Sequence, residues 1–291
     1  MEEREVKGKL WSCIAVIVVL SMLMACAPAP TPTPVPPTKV PPTAVPPTKV
    51  PPTAVPPTAV PPTATPKPKT KITVAVDATW PPFEFVDEAT KEFMGFDVDL
   101  MKAIAAEGGL EVTFQNVPWD TLLAGMATGQ YDAACSAMTI TDERKQKFDF
   151  SDSYYSAGQL IAVQVANTTI NLPADLAGKT AGAQLGTTGA IEIEKIKNAK
   201  LKNYDDITQA FLDLISAKLD AVVADNPLAT VYVGKNPGKL KTVGIVFTEE
   251  YYGIAVCNKN KSLLDKINNG LKLVKNDGTV DNLIKKWFYS Q

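Results

Sequence analysis

The feature that most constrains this chain is the uneven distribution of its prolines, which divides it into two parts. Eighteen of the 24 prolines lie between residues 27 and 70, and six lie beyond. From Val35 to Ala64 the motif Val-Pro-Pro-Thr followed by Lys or Ala repeats six times. Proline fixes φ and removes a backbone donor, so this segment predicts an extended polyproline II spacer and no core. At ~3.1 Å per residue, the 44 residues from 27 to 70 would reach about 130 Å.

A short apolar run, residues 14–25, precedes the proline segment and follows a start that carries three basic residues. It is too short to cross a bilayer comfortably and is typical of a signal-peptide core. The run ends at Leu23-Met24-Ala25-Cys26, which resembles the lipobox of bacterial lipoproteins, where cleavage leaves a lipidated cysteine. We therefore expect a signal peptide over residues 1–25, lipid attachment at Cys26, a linker over residues 26–70, and a membrane-anchored, extracytoplasmic protein. The alternative is an uncleaved anchor helix extended toward Trp11.

Residues 71–291 are enough for one large domain or two small lobes with real cores. The first 70 residues hold seven of the 29 basic and three of the 31 acidic residues, which leaves 22 and 28 for the remainder, a net charge of −6. This acidic balance disfavours general binding to nucleic acid, whose affinity depends on neutralising phosphates. The chain contains no histidine, which excludes Ser-His-Asp systems and HExxH zinc sites. We expect neither a metal nor a cofactor.

Strand and helix patterns alternate along this second part. A β-rich run at Lys71–Val76 leads to a helical stripe at Gly95–Ala106, which has aspartates in its first turn and stops at Gly108-Gly109. The pattern continues with strands predicted at 111–117, 131–137, 180–183, 220–225, 242–247 and 252–257, and with helices between and after them. This alternation predicts a parallel-rich α/β architecture. Because ligands of such folds lie at the carboxyl ends of strands, we expect functional residues in the loops that follow strands.

Two of these loops carry aromatic and acidic residues. The first, residues 77–85, contains Asp77, Trp80 and Glu84, and the second places Trp119 directly after Pro118 at a helix start. Taken alone, each is also consistent with an ordinary packed turn.

Two further loops carry polar groups suited to an anion. The third runs from Ser136 to Arg144, where Arg144 supplies a planar fork that matches a carboxylate. The fourth, residues 186–189, opens a helix whose N–H groups favour an anion. The alternative for the third loop is a surface turn in which Arg144 pairs with Asp142 or Asp149.

The order of these motifs resembles a known family. Gly95-Phe96-Asp97-Val98-Asp99-Leu100, and the stretch from Thr139 to Arg144 that runs on to Phe148-Asp149-Phe150-Ser151-Asp152, are similar to signatures of the amino-acid-binding proteins of bacterial ABC importers (solute-binding protein family 3). The likeness extends from about Ile72 to Phe288. It implies a type 2 periplasmic-binding-protein fold: two α/β lobes, joined by two crossover hinge strands, that close on a ligand.

The resemblance also implies boundaries and partners. Lobe 1 would comprise residues 71–160 and 253–291, and lobe 2 residues 161–252. The protein would be a monomer without enzymatic activity that delivers an amino acid to the permease of its importer.

The family pattern assigns roles to individual residues. Trp80 and Trp119 would be aromatic walls beside the ligand side chain. Arg144 would bind the α-carboxylate, helped by donors around Ser136, Thr139 and Thr188, and Asp225 would bind the α-ammonium from lobe 2. One zwitterion would then bridge both lobes, so that only the closed state satisfies both of its ends. The implied ligand-binding residues are Asp77, Trp80, Glu84, Trp119, Ser136, Ala137, Met138, Thr139, Arg144, Gln184, Thr188 and Asp225.

Selectivity follows from the same resemblance. Asp77 matches the position that contacts the distal end of basic or amide side chains in relatives, and tryptophans with carboxylates suit a guanidinium or ammonium. We therefore expect arginine or lysine, with glutamine or another polar amino acid second. Ala137 departs from the serine that basic-amino-acid binders often carry. Ala224 departs from the histidine that glutamine binders often carry before the Asp225 position.

Two questions stay open at this point. The same fold hosts cyclohexadienyl and arogenate dehydratases, for which Glu192 and Glu194 are the nearest acidic candidates, although their helical spacing favours a solvated face. Cys135 and Cys257 are consistent with a disulfide in an exported protein or with two buried thiols.

Overall fold

The computed structural model of the protein describes residues 68–258 and 260–289. The predicted signal peptide, the predicted lipid attachment at Cys26 and the predicted linker up to residue 67 lie outside the described residues. Within the described ranges, no helix has both the length and the apolar character needed to cross a membrane.

Strands and helices alternate along the described chain. The strands are β1 (Thr70–Val76), β2 (Thr79–Trp80), β3 (Glu84–Val86), β4 (Phe93–Met94), β5 (Leu110–Asn116), β6 (Ala133–Ala134), β7 (Asp149–Phe150), β8 (Tyr155–Ala157), β9 (Gln159–Gln164), β10 (Thr180–Gln184), β11 (Lys200–Tyr204), β12 (Ala221–Asp225), β13 (Leu240–Val243), β14 (Glu250–Tyr252) and β15 (Ala255–Val256). The helices are α1 (Phe96–Gly108), α2 (Trp119–Thr128), α3 (Asp142–Lys145), α4 (Thr188–Glu194), α5 (Ile207–Ile215), α6 (Asn226–Lys235), α7 (Lys261–Asn276) and α8 (Thr279–Ile284), with a 3₁₀ turn at Pro173–Leu176 and a π-helical turn at Lys285–Tyr289.

Two five-stranded sheets organise the fold. The first has the order β5-β1-β6-β15-β7 and the second β11-β10-β12-β9-β13; we call each sheet, with the helices packed on it, lobe 1 and lobe 2. Within each lobe the central strands are parallel, β1 with β5 and β6, and β10 with β11 and β12. Apolar clusters cover both faces of each sheet, as parallel sheets require.

Two antiparallel strands connect the lobes. Strand β8 leads from lobe 1 into lobe 2, β14 leads back, and the two pair with Glu250 opposite Ala157 and Tyr252 opposite Tyr155. We call β8 and β14 the hinge strands. The predicted two-lobe α/β architecture with two crossover strands is thereby confirmed.

The single strand predicted over residues 252–257 is wrong. The chain changes partners at Gly253, since β14 pairs with the hinge strand β8 whereas β15 pairs with β6 and β7 of lobe 1. A Cβ at Gly253 would come within 2.8 Å of Ile140 Cδ1, so this change of partner depends on a residue without a side chain.

Helix α5 shows how the sequence fixes packing. Its apolar residues recur at helical spacing, so that Ile207, Ala210, Phe211 and Leu214 form one buried face, the pattern expected of an amphipathic helix. Asp206 begins the helix by accepting a hydrogen bond from the backbone N–H of Thr208 at 2.7 Å, which satisfies one of the unbonded donors of the first turn.

Candidate ligand-binding cavity

A narrow cavity lies between the lobes. It is lined by Trp80, Trp119, Ser136, Ala137, Thr139, Arg144, Thr187, Thr188 and Asp225. All of these except Thr187 belong to the predicted ligand-binding residues. Lobe 1 supplies six of the nine and lobe 2 supplies three.

The lining residues meet because they lie at or after the carboxyl ends of the parallel strands. Trp80 comes after β1, Ser136 after β6 and Thr188 after β10, while Asp225 is the last residue of β12. The carboxyl ends of parallel strands lie at one edge of a sheet, and loops at that edge form binding sites in α/β folds. The cavity therefore lies where the two sheets present these edges to each other.

Arg144 is held in place by backbone carbonyls from both lobes. It is 7% exposed, and its guanidinium donates to Thr139 O at 2.8 Å and to Gly186 O at 3.1 Å. Its Cζ lies 5.1 Å from the centre of the Trp119 ring, which is within cation–π range. Burial lowers the pKa of Arg144 to about 10, against the charges of Asp225 and Glu250, which raise it. The side chain thus stays cationic at neutral pH.

The alternative pairing of Arg144 is not what the structure shows. Asp142 pairs with Lys145 at 3.4 Å and Asp149 with Lys261 at 3.0 Å. The arginine is therefore directed to the cavity, and the two aspartates belong to the surface.

A buried polar network supports the lobe 1 side of the cavity. Ser136 Oγ accepts from the backbone N–H of Asp77 at 2.9 Å and donates to Glu84 Oε1 at 2.9 Å. Ala137 has a φ of 43°, a left-handed conformation that is uncommon outside glycine. Its N–H donates to Asp97 Oδ2 at 2.7 Å, so the network holds this conformation at the cavity.

Glu84 and Asp97 form a buried carboxyl pair behind Ser136. Both are fully buried, and Glu84 Oε2 and Asp97 Oδ1 have no other hydrogen-bond partner among the described residues. Burial raises the pKa of Asp97 to about 6, although hydrogen bonds from Ala137 and Tyr154 lower it. Burial, and then the charge of Asp97, raise the pKa of Glu84 well above its usual range. Since two adjacent carboxylates do not both ionise readily, we assign the proton of this pair to Glu84.

Four predicted residues do not line the cavity. Glu84 lies behind Ser136, and Met138 is fully buried in the apolar cluster that also contains Trp119 and Phe148. Asp77 and Gln184 lie next to the lining in a chain of hydrogen bonds that joins the lobes. Trp80 Nε1 donates to Gln184 Oε1 at 2.6 Å, and Gln184 Nε2 donates to Asp77 Oδ2 at 2.7 Å. Burial raises the pKa of Asp77, whereas the bond from Gln184 lowers it.

The lobe 2 side depends on residues near the hinge that the sequence did not predict. Asp225 Oδ1 accepts from Gln159 Nε2 at 2.7 Å, and its Oδ2 accepts from the Tyr252 hydroxyl. Burial, and then the charge of Glu250, raise the pKa of Asp225 to about 7, against these two hydrogen bonds, which lower it. Glu250, Gln159 and Tyr252 carry no motif, because their roles arise only from the pairing of the hinge strands.

The hydroxyl groups of Thr139 and Thr188 are both bound to Glu250. Both hydroxyls donate to Glu250 Oε2, at 2.7 Å and 2.8 Å. These two hydroxyl hydrogens are therefore not among the donors expected around Thr139 and Thr188. Trp119 Nε1 is a buried donor without an acceptor among the described residues.

The remaining candidates lie outside the cavity lining. Glu192 pairs with Lys195 at 2.5 Å and Glu194 is exposed, so neither is an acid directed into the cavity. Cys135 and Cys257 are free thiols. The described residues contain no group of three or more Cys, Asp or Glu side chains arranged to hold a metal ion.

A cavity between two α/β lobes that are joined by two hinge strands defines a two-lobed ligand-binding protein. The chain belongs to the bacterial extracellular solute-binding proteins, family 3, whose model matches residues 72–290. This confirms the family predicted from the motifs, and the members of this family are binding proteins, not enzymes.

Individual relatives agree with this membership. The chain is 35% identical over 223 residues to the ABC transporter arginine-binding protein 1 of Escherichia coli K12, covering 75% of this chain and 90% of the relative. It is 42% identical to the solved structure of an ancestral arginine-binding protein bound to arginine, with a TM-score of 0.73, and the match covers 76% of this chain and 100% of that one. The solved structure of an ancestral arginine-binding protein bound to glutamine is 43% identical to this chain, with a TM-score of 0.73, and the match covers 76% of this chain and 98% of that one.

Proposed function

We propose that this chain is the substrate-binding component of an amino-acid ABC importer and that it binds a basic amino acid, arginine first, in the cavity between its lobes. The observation that carries the proposal is the placement of opposite charges on opposite lobes. The guanidinium of Arg144 comes from lobe 1 and the carboxyl group of Asp225 from lobe 2, and both line one cavity. An amino-acid zwitterion carries the complementary pair of charges.

Arg144 is the proposed partner of the α-carboxylate. A guanidinium has five N–H donors, and two of them go to the carbonyls of Thr139 and Gly186. The planar fork matches a carboxylate bidentately, and burial at 7% exposure limits competition from water.

Asp225 is the proposed partner of the α-ammonium. Its carboxyl group is oriented by Gln159 and Tyr252, so it is fixed before a ligand arrives. The raised pKa of about 7 reflects a carboxylate that gains a great deal from a nearby cation. A bound ammonium would supply that cation and hold Asp225 ionised.

The aromatic residues support a long cationic side chain. Trp80 and Trp119 line the cavity from lobe 1, and an indole face attracts a guanidinium or ammonium. Asp77 is held next to Trp80 through Gln184 and supplies a carboxylate at that end. Glu84 drops out of the selectivity argument, because its carboxyl group is paired with Asp97 behind Ser136.

Glutamine is the second candidate. A solved structure 43% identical to this chain is an arginine-binding protein bound to glutamine, and the carboxylate of Asp77, next to the cavity lining, supplies an acceptor for a terminal carboxamide.

The proposed assembly includes a permease and a lipid anchor. The protein would act as a monomer, tethered through Cys26 by the proline-rich linker, and deliver its ligand to the permease of the importer. Cys26→Ser is expected to abolish labelling by a lipid precursor and to leave the chain unprocessed. Normal labelling of this variant would overturn the anchor.

The experiment that tests the function is calorimetric titration of the full-length protein, freed of co-purified ligand, against the 20 common amino acids. Tight binding of arginine or lysine is the expected result. Tight binding of glutamine alone would keep the transport function and overturn the selectivity. If none of the 20 amino acids binds, the proposal is overturned.

A further inference from the structure

Glu250 lies on the hinge strand β14, and its carboxylate accepts four hydrogen bonds. Oε2 accepts from the hydroxyls of Thr139 at 2.7 Å and Thr188 at 2.8 Å. Oε1 accepts from Gln159 Nε2 at 3.0 Å and from Thr248 Oγ1 at 2.9 Å. An ionised carboxylate offers about four acceptor sites and no donor. This set of donors therefore fills the group.

Two of the four donors belong to different lobes. Thr139 follows β6 in lobe 1 and Thr188 begins α4 in lobe 2, and both line the cavity. One carboxylate oxygen on the hinge thus joins the two lobes, and separating them breaks at least one of these hydrogen bonds.

The direction of these hydrogen bonds determines what the two hydroxyls offer to a ligand. A hydroxyl has one hydrogen and two lone pairs. Because both hydrogens go to Glu250, Thr139 and Thr188 have only lone pairs left for other neighbours. One lone pair of Thr188 faces Gln159 Nε2 at 3.1 Å, the longest of the three contacts that share the two hydrogens of this amide group. The remaining lone pairs make this part of the cavity a hydrogen-bond acceptor, on the same cavity as Asp225.

We infer that Glu250 is a positioning residue: by holding the hydroxyl hydrogens of Thr139 and Thr188, it makes both side chains acceptors for the ammonium group of the ligand. The inference rests on the proposed function, and Glu250 itself does not line the cavity. Because the two hydroxyls belong to different lobes, this acceptor pair is complete only when the lobes are closed.

The substitution Glu250→Gln reverses this arrangement while keeping the shape of the side chain. The Gln159 amide is a fixed donor, so it attracts the new amide oxygen and leaves the new NH₂ group facing Thr139 and Thr188. Both hydroxyls then accept from this NH₂ group and turn their hydrogens elsewhere, including toward the cavity. A cavity that presents donors disfavours an ammonium.

The test compares two ligands that differ only in the ammonium group. The full-length wild type and Glu250→Gln are titrated calorimetrically with arginine and with 5-guanidinopentanoate, in which hydrogen replaces the α-ammonium. We expect the arginine affinity of the variant to fall by roughly 10- to 100-fold, the value of a hydrogen bond to a charged group. The affinity for 5-guanidinopentanoate should change by less than about threefold. Glu249→Gln is the control, because Glu249 is the adjacent, exposed residue and should leave both affinities unchanged.

Equal losses for the two ligands would mean a general structural role for Glu250 and would overturn the inference, as would an unchanged affinity for arginine. If Glu250→Gln does not unfold cooperatively, Thr139→Val and Thr139→Ser replace it. Thr139→Val removes the lone pairs and should weaken the binding of arginine more than that of 5-guanidinopentanoate. Thr139→Ser keeps a hydroxyl group and should restore the wild-type difference between the two affinities. Equal losses of affinity for the two ligands with Thr139→Val would again overturn the inference.

If the wild type binds no amino acid, the proposed function fails. If the wild type binds arginine and the variants do not discriminate between arginine and 5-guanidinopentanoate, only this inference fails.

Discussion

The two lobes support their sides of the cavity in different ways. Lobe 1 backs Ser136 and Ala137 with its own interior, where the buried pair Glu84 and Asp97 receives their hydrogen bonds. Lobe 2 backs Thr188 and Asp225 with residues at or beside the hinge, namely Gln159, Glu250 and Tyr252. The support of Ser136 and Ala137 is therefore internal to lobe 1, whereas Thr188 and Asp225 are held by residues of the region that changes when the lobes move. The comparison teaches that closure affects the support of the lobe 2 residues more than that of Ser136 and Ala137.

The substitution with the largest expected effect is Arg144→Ala, which removes the cation of the lobe 1 side. Loss of one partner of a buried charge pair costs about 2–5 kcal/mol, so arginine affinity should fall by roughly 30- to 4,000-fold. The measurement is calorimetric titration, with circular dichroism to verify the fold. Lys145→Ala is the control, since Lys145 is the neighbouring exposed cation. Wild-type affinity in Arg144→Ala would remove the carboxylate role and with it the importance of lobe 1 in this comparison.

The next effect concerns lobe 2 and depends on pH. Because burial raises the pKa of Asp225 to about 7, its carboxyl group holds a proton below that pH and must release it when an ammonium binds. Arginine affinity should therefore rise as pH increases toward about 7 and then level off, by up to roughly 100-fold between about pH 5 and pH 8. Asp225→Asn should bind arginine more weakly and flatten this dependence.

Calorimetry at several pH values, in buffers of different ionisation enthalpy, measures both the affinity and the proton release. Asp220→Asn, at the other end of β12, is the control and should keep the wild-type profile. A pH dependence that persists in Asp225→Asn would assign it to another group and weaken the role given to lobe 2.

Much of this arrangement is predictable from the sequence because it is local. Trp80, Arg144 and Asp225 each follow a strand or lie at a helix start, so chain order alone brings them to the edge where the cavity forms. Glu250 is different, since Glu249 and Glu250 are adjacent and chemically identical, and only the register of the hinge strands decides which one is buried. The sequence predicts Glu84 at the cavity from its nearness to Asp77, whereas the structure directs it to Ser136, which is 52 residues away, and to Asp97, and no local pattern encodes these contacts.

Trp119→Ala should have a moderate effect, because it removes one aromatic surface and leaves the charged partners in place. The expected loss of arginine affinity is about 1–3 kcal/mol. Trp119→Phe retains a ring and should recover part of it, and thermal unfolding separates lost binding from lost packing, since Trp119 belongs to a buried apolar cluster. If alanine and wild type bind equally, the cation–π contribution proposed for this side of the cavity does not exist.

Asp97→Asn should have the smallest effect on affinity and acts instead on the stability of lobe 1. The folded protein raises the pKa of Asp97 from 3.8 to about 6, so between these values the folded state holds a proton that the unfolded state has lost. The contribution of this group is then fully present at low pH and is lost as pH rises through about 6. Asn carries no such proton, and it keeps an oxygen to accept from Ala137 and Tyr154. The free energy of unfolding of the wild type should therefore fall more steeply than that of the variant between about pH 4 and pH 6, by on the order of 1–3 kcal/mol.

Denaturant unfolding across this range measures the difference, with Glu107→Gln as the exposed control on the same helix. Parallel pH profiles for wild type and Asp97→Asn would show that the buried pair does not support lobe 1 as described, and the contrast between the internal support of Ser136 and Ala137 and the hinge support of Thr188 and Asp225 would then have to be abandoned.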